Sequence, residues 1–270
     1  MKQPDILYHY TTSFGLSGIL NSKSIWLSDP RYLNDGLEIK YGVQLFESVL
    51  HDAATSFDKS AEPYIAKIKK ELYTTEQTHY VASFCETDDL LSQWRGYANS
   101  GVGYSIGFKS ESLAKNSESV LKKVIYDKKE QVKAILSYIN KCIPASTTDY
   151  AAFDVSTDLF SLLLSLKHSS FSEEREWRLI DSFIGWKPGI QSLDIKFRPS
   201  KNYFIPYREI QPQLIESRGE MVLPIKSIRV GPSPEPSLAK EALNWLLWEK
   251  RYIVGKGNLE TFNSISPYRT

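Results

Sequence analysis

The sequence predicts an α+β fold in a single domain, in which strands and helices alternate without the regular βαβ rhythm of a parallel sheet. Two periodicities and a set of breakers carry that expectation. Tyr41, Leu45 and Val49 recur at helical spacing, whereas Val102, Tyr104, Ile106 and Phe108 alternate with Gly103, Ser105 and Gly107 as in a strand. Asp29-Pro30 and the Pro232, Pro234, Pro236 run punctuate the chain, and no stretch reads as a linker. Residues 1–270 are therefore taken as one domain, closed by a C-terminal helix at 237–252.

The elements follow in order. Residues 6–10 form a short β-like run, and Thr12 or Ser13 caps a helix carrying Leu16, Ile19 and Leu20. Residues 24–28 make a second strand. Asn34-Asp35 precedes the helix of Tyr41, Leu45 and Val49, residues 52–60 read as a break, and Ile65, Ile68 and Leu72 mark another helix. Residues 80–85 read as a strand, and Asp88 or Asp89 as the cap of a helix through Leu90, Trp94 and Tyr97. The side-chain-poor face of the strand at 102–108 calls for something packed closely against it. A strand at 120–126, helices at 132–139 and 153–166, and strands at 176–180, 193–197, 203–205 and 225–230 complete the order. Ser237 is expected to cap the last helix, with Leu238, Ala242, Trp245 and Leu246 on its apolar side.

Bulk properties narrow the function classes. A formal net charge of +1 argues against nucleic-acid binding by bulk electrostatics, though a local patch remains open. Cys85 and Cys142 stand in unrelated contexts and form no zinc pattern, and the four histidines have no paired spacing, so no metal site is expected. The N-terminal MKQPDILYHYTT lacks the apolar core of a signal peptide, and no apolar stretch approaches the roughly 20 residues of a membrane span. The expectation is a cytoplasmic protein with no membrane partner. The common phosphate-loop, zinc-protease and nucleophile-elbow motifs are absent.

Four constellations could carry chemistry. Tyr8-His9-Tyr10-Thr11-Thr12 offers an imidazole, hydroxyls and a helix start to a ligand, or a hydrogen-bonded sheet histidine. Asn34-Asp35-Gly36-Leu37-Glu38 could hold a cation or a ribose, or simply cap a helix. Ser83-Phe84-Cys85-Glu86 precedes Gln93-Trp94-Arg95-Gly96-Tyr97. There Trp94 and Tyr97 share a helix face that could stack a flat cationic ring or pack into the core, and Arg95 could reach a phosphate. Finally, Glu174-Arg175-Glu176-Trp177-Arg178 begins a strand in which Glu174, Glu176 and Arg178 share one face. A carboxylate entering an apolar core demands a partner or a task.

Five ordered blocks, LYHYTT, SIWLSDPRYLND with Glu38, VASFCETDDLLSQWRGYA with GVGYSIGF, EEREWRLI and LPIKSIRVGP, resemble a bacterial family of uncharacterised proteins, domain of unknown function 2971, over about residues 6–232. The order of features is also similar to the His–Tyr–Glu branch of the ADP-ribosyltransferase fold. That resemblance implies a split antiparallel or mixed sheet flanked by helices, with NAD as substrate. It would make Glu176 the catalytic carboxylate on the nicotinamide ribose, and Glu174 a residue that orients an acceptor. His9, Tyr10, Thr11, Ser83, Trp94, Arg95, Tyr97 and Arg178 would bind the nucleotide, with Tyr97 or its rival Trp94 stacked on nicotinamide. A protein or nucleic acid would be the acceptor. The chemistry is coherent, because a fixed carboxylate stabilises the cationic ribose that forms as nicotinamide leaves. The alternative is a non-catalytic nucleotide- or protein-binding module in bacterial stress or phage defence.

Overall fold

The structure is a computed structural model that describes residues 2–32, 37–55, 57, 59–74, 77–98, 102–115, 119–142, 156–184, 195–200 and 203–266. It is α+β. In chain order it comprises β1 (Ile6–Thr11), α1 (Ser13–Ser22), β2 (Ile25–Ser28), α2 (Leu37–Ala54), α3 (Glu62–Thr74), β3 (Gln77–Cys85), α4 (Leu91–Tyr97), β4 (Tyr104–Lys109) and β5 (Val120–Lys123). There follow α5 (Lys128–Cys142), α6 (Ser156–Leu163), β6 (Glu176–Ile184), β7 (Ile195–Pro199), β8 (Phe204–Ile210), β9 (Ile215–Ser217), β10 (Glu220–Val222), β11 (Ile225–Val230), α7 (Pro236–Glu249) and β12 (Glu260–Asn263).

Ten strands form one mixed sheet in the order β12-β11-β4-β1-β3-β2-β8-β7, with β6 on the remaining edge of β3 and β5 beyond it. Strand alternation sends Leu7, Tyr80, Ala82, Phe84, Ile106, Phe108, Trp177 and Leu179 into one core. Leu16, Ile19 and Leu20 of α1 and Leu243 and Leu247 of α7 join them there. A second cluster, from α2, α3, α5 and α6, is separate. Val81 and Ile180 meet Leu164 on the face opposite the first core. β6 is thus covered on both faces, which explains why Glu176, Arg178 and Asp181 are buried although charged.

β3 positions the site. One of its edges pairs with β6 along its whole length, from Gln77 opposite Ile184 to Cys85 opposite Glu176. The other edge is shared: Val81 pairs with Ser28 of β2, and Cys85 pairs with Tyr8 of β1. Between these contacts β1 and β2 diverge and leave a fork opposite Ser83.

Several expectations change. Glu174 does not share the strand: it ends a 3-10 turn over Ser169–Glu174, Arg175 turns into the left-handed region (φ 44), and β6 starts at Glu176. Neither aspartate caps α4, whose N-cap is Leu90. Asp89 instead accepts the Trp94 indole N–H at 2.7 Å and contacts from Ser264, Ile265 and Ser266. The space over Gly103 and Gly107 is filled by Thr11, Ala98, Tyr8 and Ser227, so the bare strand face is a packing surface. α7 starts at Pro236 with Glu235 as N-cap, and it buries Leu243 and Leu247 while leaving Trp245 72 % exposed. Asn34, Asp35 and residues 151–155 lie outside the described residues, as does the side chain of Glu38.

Candidate functional site

A cavity of about 290 Å³ opens at the fork. β1 and the start of α1 supply His9, Tyr10, Thr11, Thr12, Phe14 and Gly15; β2 supplies Trp26 and Ser28; β3 supplies Val81, Ala82 and Ser83; α4 supplies Gln93 and Tyr97; β7 supplies Arg198 and Pro199. Residues from both faces of the sheet therefore line it: His9 projects to the side of Leu7, and Ser83 to the side of Glu176.

His9 fills the gap in the ladder. With β1 and β2 diverging, the Ser83 carbonyl has no strand partner, and the His9 ring donates to it from Nδ1 at 3.0 Å. A carbonyl only accepts, so this bond fixes the tautomer and leaves Nε2 as the acceptor. Burial holds the His9 pKa below its ordinary value, the Ser83 bond opposes that shift, and the nearby Arg198 charge adds to it.

Arg198 is the cationic element. It donates to Ser28 Oγ at 3.2 Å, and it has no carboxylate at ion-pair distance among the described residues. Burial lowers its pKa, and Tyr207 opposes the shift. Next to it α1 begins: Thr12 caps the helix by accepting the Gly15 N–H at 3.2 Å, and the unpaired amides of the first turn carry positive partial charge. Nothing in the sequence singled out Arg198 beyond its alternation with Phe197 in a strand.

The helical pair at the cavity differs from the expected one. Trp94 is fully buried, stands edge-on to Tyr10 at 4.7 Å and does not line the cavity. Tyr97 does line it, and so does Gln93, four residues earlier on the same face of α4. Arg95 is exposed and points elsewhere. Tyr10 borders the cavity but is tied into the fold, donating to the Thr87 carbonyl at 2.8 Å and accepting from the Leu90 N–H at 2.9 Å.

The carboxylates sit behind the cavity, not in it. Glu176 accepts Arg178 Nε at 2.7 Å on one oxygen, and Arg178 Nη2 at 2.9 Å and Lys167 Nζ at 3.1 Å on the other. Glu174 takes Lys167 at 2.7 Å. Among the described residues these two cations and two carboxylates form a quartet, in which Glu176 is only 4 % exposed. Burial alone would raise the Glu176 pKa, but Arg178, Lys167 and the Ser83 hydroxyl override it and hold the pKa at about 2. Ser83 lies between the two regions: its carbonyl accepts from His9 at the cavity, and its hydroxyl is on the face of β3 that Glu176 shares and helps to lower the Glu176 pKa. Lys167, which completes the quartet, directly follows the apolar run at 159–166, and nothing in the sequence singled it out. The structure thus gathers His9, Tyr10, Thr11, Ser83 and Tyr97 at one cavity, and keeps Glu174, Glu176, Arg178, Trp94 and Arg95 out of it.

Among the described residues no group of histidine, cysteine, aspartate or glutamate side chains could hold a metal ion, and no helix is long and apolar enough to cross a membrane. No curated protein matches the chain, and no solved structure matches it, so the ADP-ribosyltransferase likeness gains no support from either comparison. Residues 93–179, from Gln93 on α4 to Leu179 on β6, match the family described as "Protein of unknown function (DUF2971)", and over that stretch the chain is similar to that family.

Proposed function

We propose that the chain binds a small phosphate-bearing ligand of nucleotide type in the fork between β1 and β2. The observation that carries this reading is Arg198, a half-buried guanidinium lining the cavity with no acid partner among the described residues. Taking a charge out of water is costly unless something compensates it. An anion would do so, held by the guanidinium fork, the first-turn amides of α1 and the Thr11 and Thr12 hydroxyls. The cavity volume suits a mononucleotide-sized group. Titration calorimetry with AMP, nicotinamide mononucleotide and inorganic pyrophosphate tests it. Binding is expected to weaken with salt and to fall by about tenfold or more in Arg198→Gln. No heat from any of these ligands at millimolar concentration overturns it.

A second reading, cleavage of NAD by Glu176 as an ADP-ribosyltransferase or NAD glycohydrolase, has one observation in its favour: Ser83 lies between the cavity and that carboxylate. It requires Glu176 to leave Arg178 and Lys167 and reach a ribose. Nicotinamide release from NAD by the wild-type protein, lost in Glu176→Gln, is the result that would establish it over simple binding. NAD bound without turnover leaves the binding-module reading.

A further inference from the structure

Gln93 is a largely buried residue, only 8 % exposed, whose amide opens onto the fork cavity and has no hydrogen-bond partner among the described residues. A primary amide carries two donors and an acceptor, and here they face the cavity, where water or a ligand can meet them. Three features of its surroundings say what would satisfy it. Tyr97 follows it by four residues on α4, so a flat ring lying against the tyrosine presents its edge to the amide. Phe14, 71 % exposed, adds a second ring to the border of the cavity. Arg198 supplies the anion-holding end from a different strand, β7.

We propose that Gln93 reads the edge of the ligand's ring, taking one hydrogen bond on Oε1 and giving one from Nε2. The ligand class is then a planar heterocycle that carries an adjacent donor and acceptor and also bears a phosphate. An amide side chain makes this paired contact with a nucleobase edge, and a carboxamide such as that of nicotinamide offers the same pair. The proposal deepens the phosphate-ligand reading and rests on it. It adds that α4, through Gln93 and Tyr97, selects the ring, while Arg198 and α1 hold the anion.

The test is calorimetric titration of the wild type, Gln93→Leu and Gln93→Glu with AMP, GMP, CMP, UMP, nicotinamide mononucleotide and ribose 5-phosphate. In the wild type the best ring-bearing ligand is expected to exceed ribose 5-phosphate, and the panel identifies which ring. Gln93→Leu is expected to weaken that ligand about tenfold and leave ribose 5-phosphate unchanged. The melting temperature of ligand-free Gln93→Leu is expected to be no lower than that of the wild type, which separates a ligand-reading amide from a structural one. Gln93→Glu, which keeps the shape but loses the donor, is expected to weaken the same ligand by a similar factor. If ribose 5-phosphate binds as tightly as the best ring-bearing ligand, or if Gln93→Leu weakens both alike, ring reading by Gln93 is wrong while the phosphate site stands. If nothing binds, both fall.

Discussion

Replacing Glu176 by glutamine tests whether the most charged part of the core serves stability or chemistry. Both oxygens of Glu176 accept from cations: Arg178 Nε on one, Arg178 Nη2 and Lys167 on the other. Whichever end of the glutamine becomes the NH2 therefore meets an N–H donor, so at least one short contact turns repulsive. The charge account is equally unfavourable. Among the described residues Lys167 and Arg178 face the carboxylates Glu174 and Glu176, and the substitution removes one of those two negative charges. Breaking a buried pair on one side costs about 3–5 kcal/mol. For a domain of this size that lowers the melting temperature by about 6–20 °C. Thermal and urea unfolding followed by circular dichroism measure it, and the urea midpoint should fall with the slope unchanged.

The pH dependence supplies the sign. The folded-state pKa of Glu176 lies at about 2, below its ordinary 4.5. A depressed carboxylate stabilises the fold above its unfolded pKa and loses that contribution as the pH falls through the folded value. Wild-type stability should therefore decline between about pH 4.5 and pH 2, and Glu176→Gln should flatten that decline. The double variant Glu176→Gln with Lys167→Met, which also removes one of the two cations, should recover part of the loss. A Glu176→Gln protein melting within about 1 °C of the wild type would refute the quartet as a structural unit.

Four further substitutions probe the sheet and the helix packed on it. His9→Ala removes the imidazole bond to the Ser83 carbonyl at the fork, so it should cost about 1–3 kcal/mol and speed amide exchange in β1 and β3; unchanged exchange there would mean the fork closes without the imidazole. Gly107→Ala puts a methyl 2.5 Å from Ser227 Oγ and 2.9 Å from Tyr8 Cε1 inside the central strands, and a loss of about 1–3 kcal/mol by urea unfolding is expected. Trp245→Ser on the exposed side of α7 should change stability by less than about 0.5 kcal/mol, whereas Leu247→Ala on the buried side should cost about 2–5 kcal/mol; similar losses from both would show that the exposed face of α7 is covered in solution.

Local signals made much of the fold legible. The Thr12 cap with Leu16, Ile19 and Leu20 behind it gave α1 within a residue, because cap chemistry and periodicity agree there. The alternation at Glu176 gave β6, because a strand covered on both faces still alternates between two different environments. Phase and pairing were harder to read. α7 has apolar side chains all round, so sequence alone could not say that Leu243 and Leu247 face the core while Trp245 faces water. The β9–β10 hairpin turns at Arg218 and Gly219, both with positive φ, and the Arg-Gly pair was its only signal. β12 joins β11 as a parallel neighbour, a long-range pairing that no local pattern encodes.

The same division explains which site residues were found. His9, Tyr10 and Thr11 follow one another on β1, and Ser83 and Tyr97 lie on β3 and the helix directly after it, so each group is local, and the pairing of β1 with β3 brings the two groups together. Arg198 reaches the cavity because β7 pairs with β8 as a local hairpin and β8 pairs with the distant β2, which places β7 two strands beyond β2. Lys167 reaches Glu176 because the chain after α6 runs back to pair at Ile125. Those two cations decide the reading of the whole region. One lies in the cavity without an acid, and the other lies behind it with two. Positive charge without a counter-charge marks a place for an anionic ligand, whereas balanced charge marks a strut.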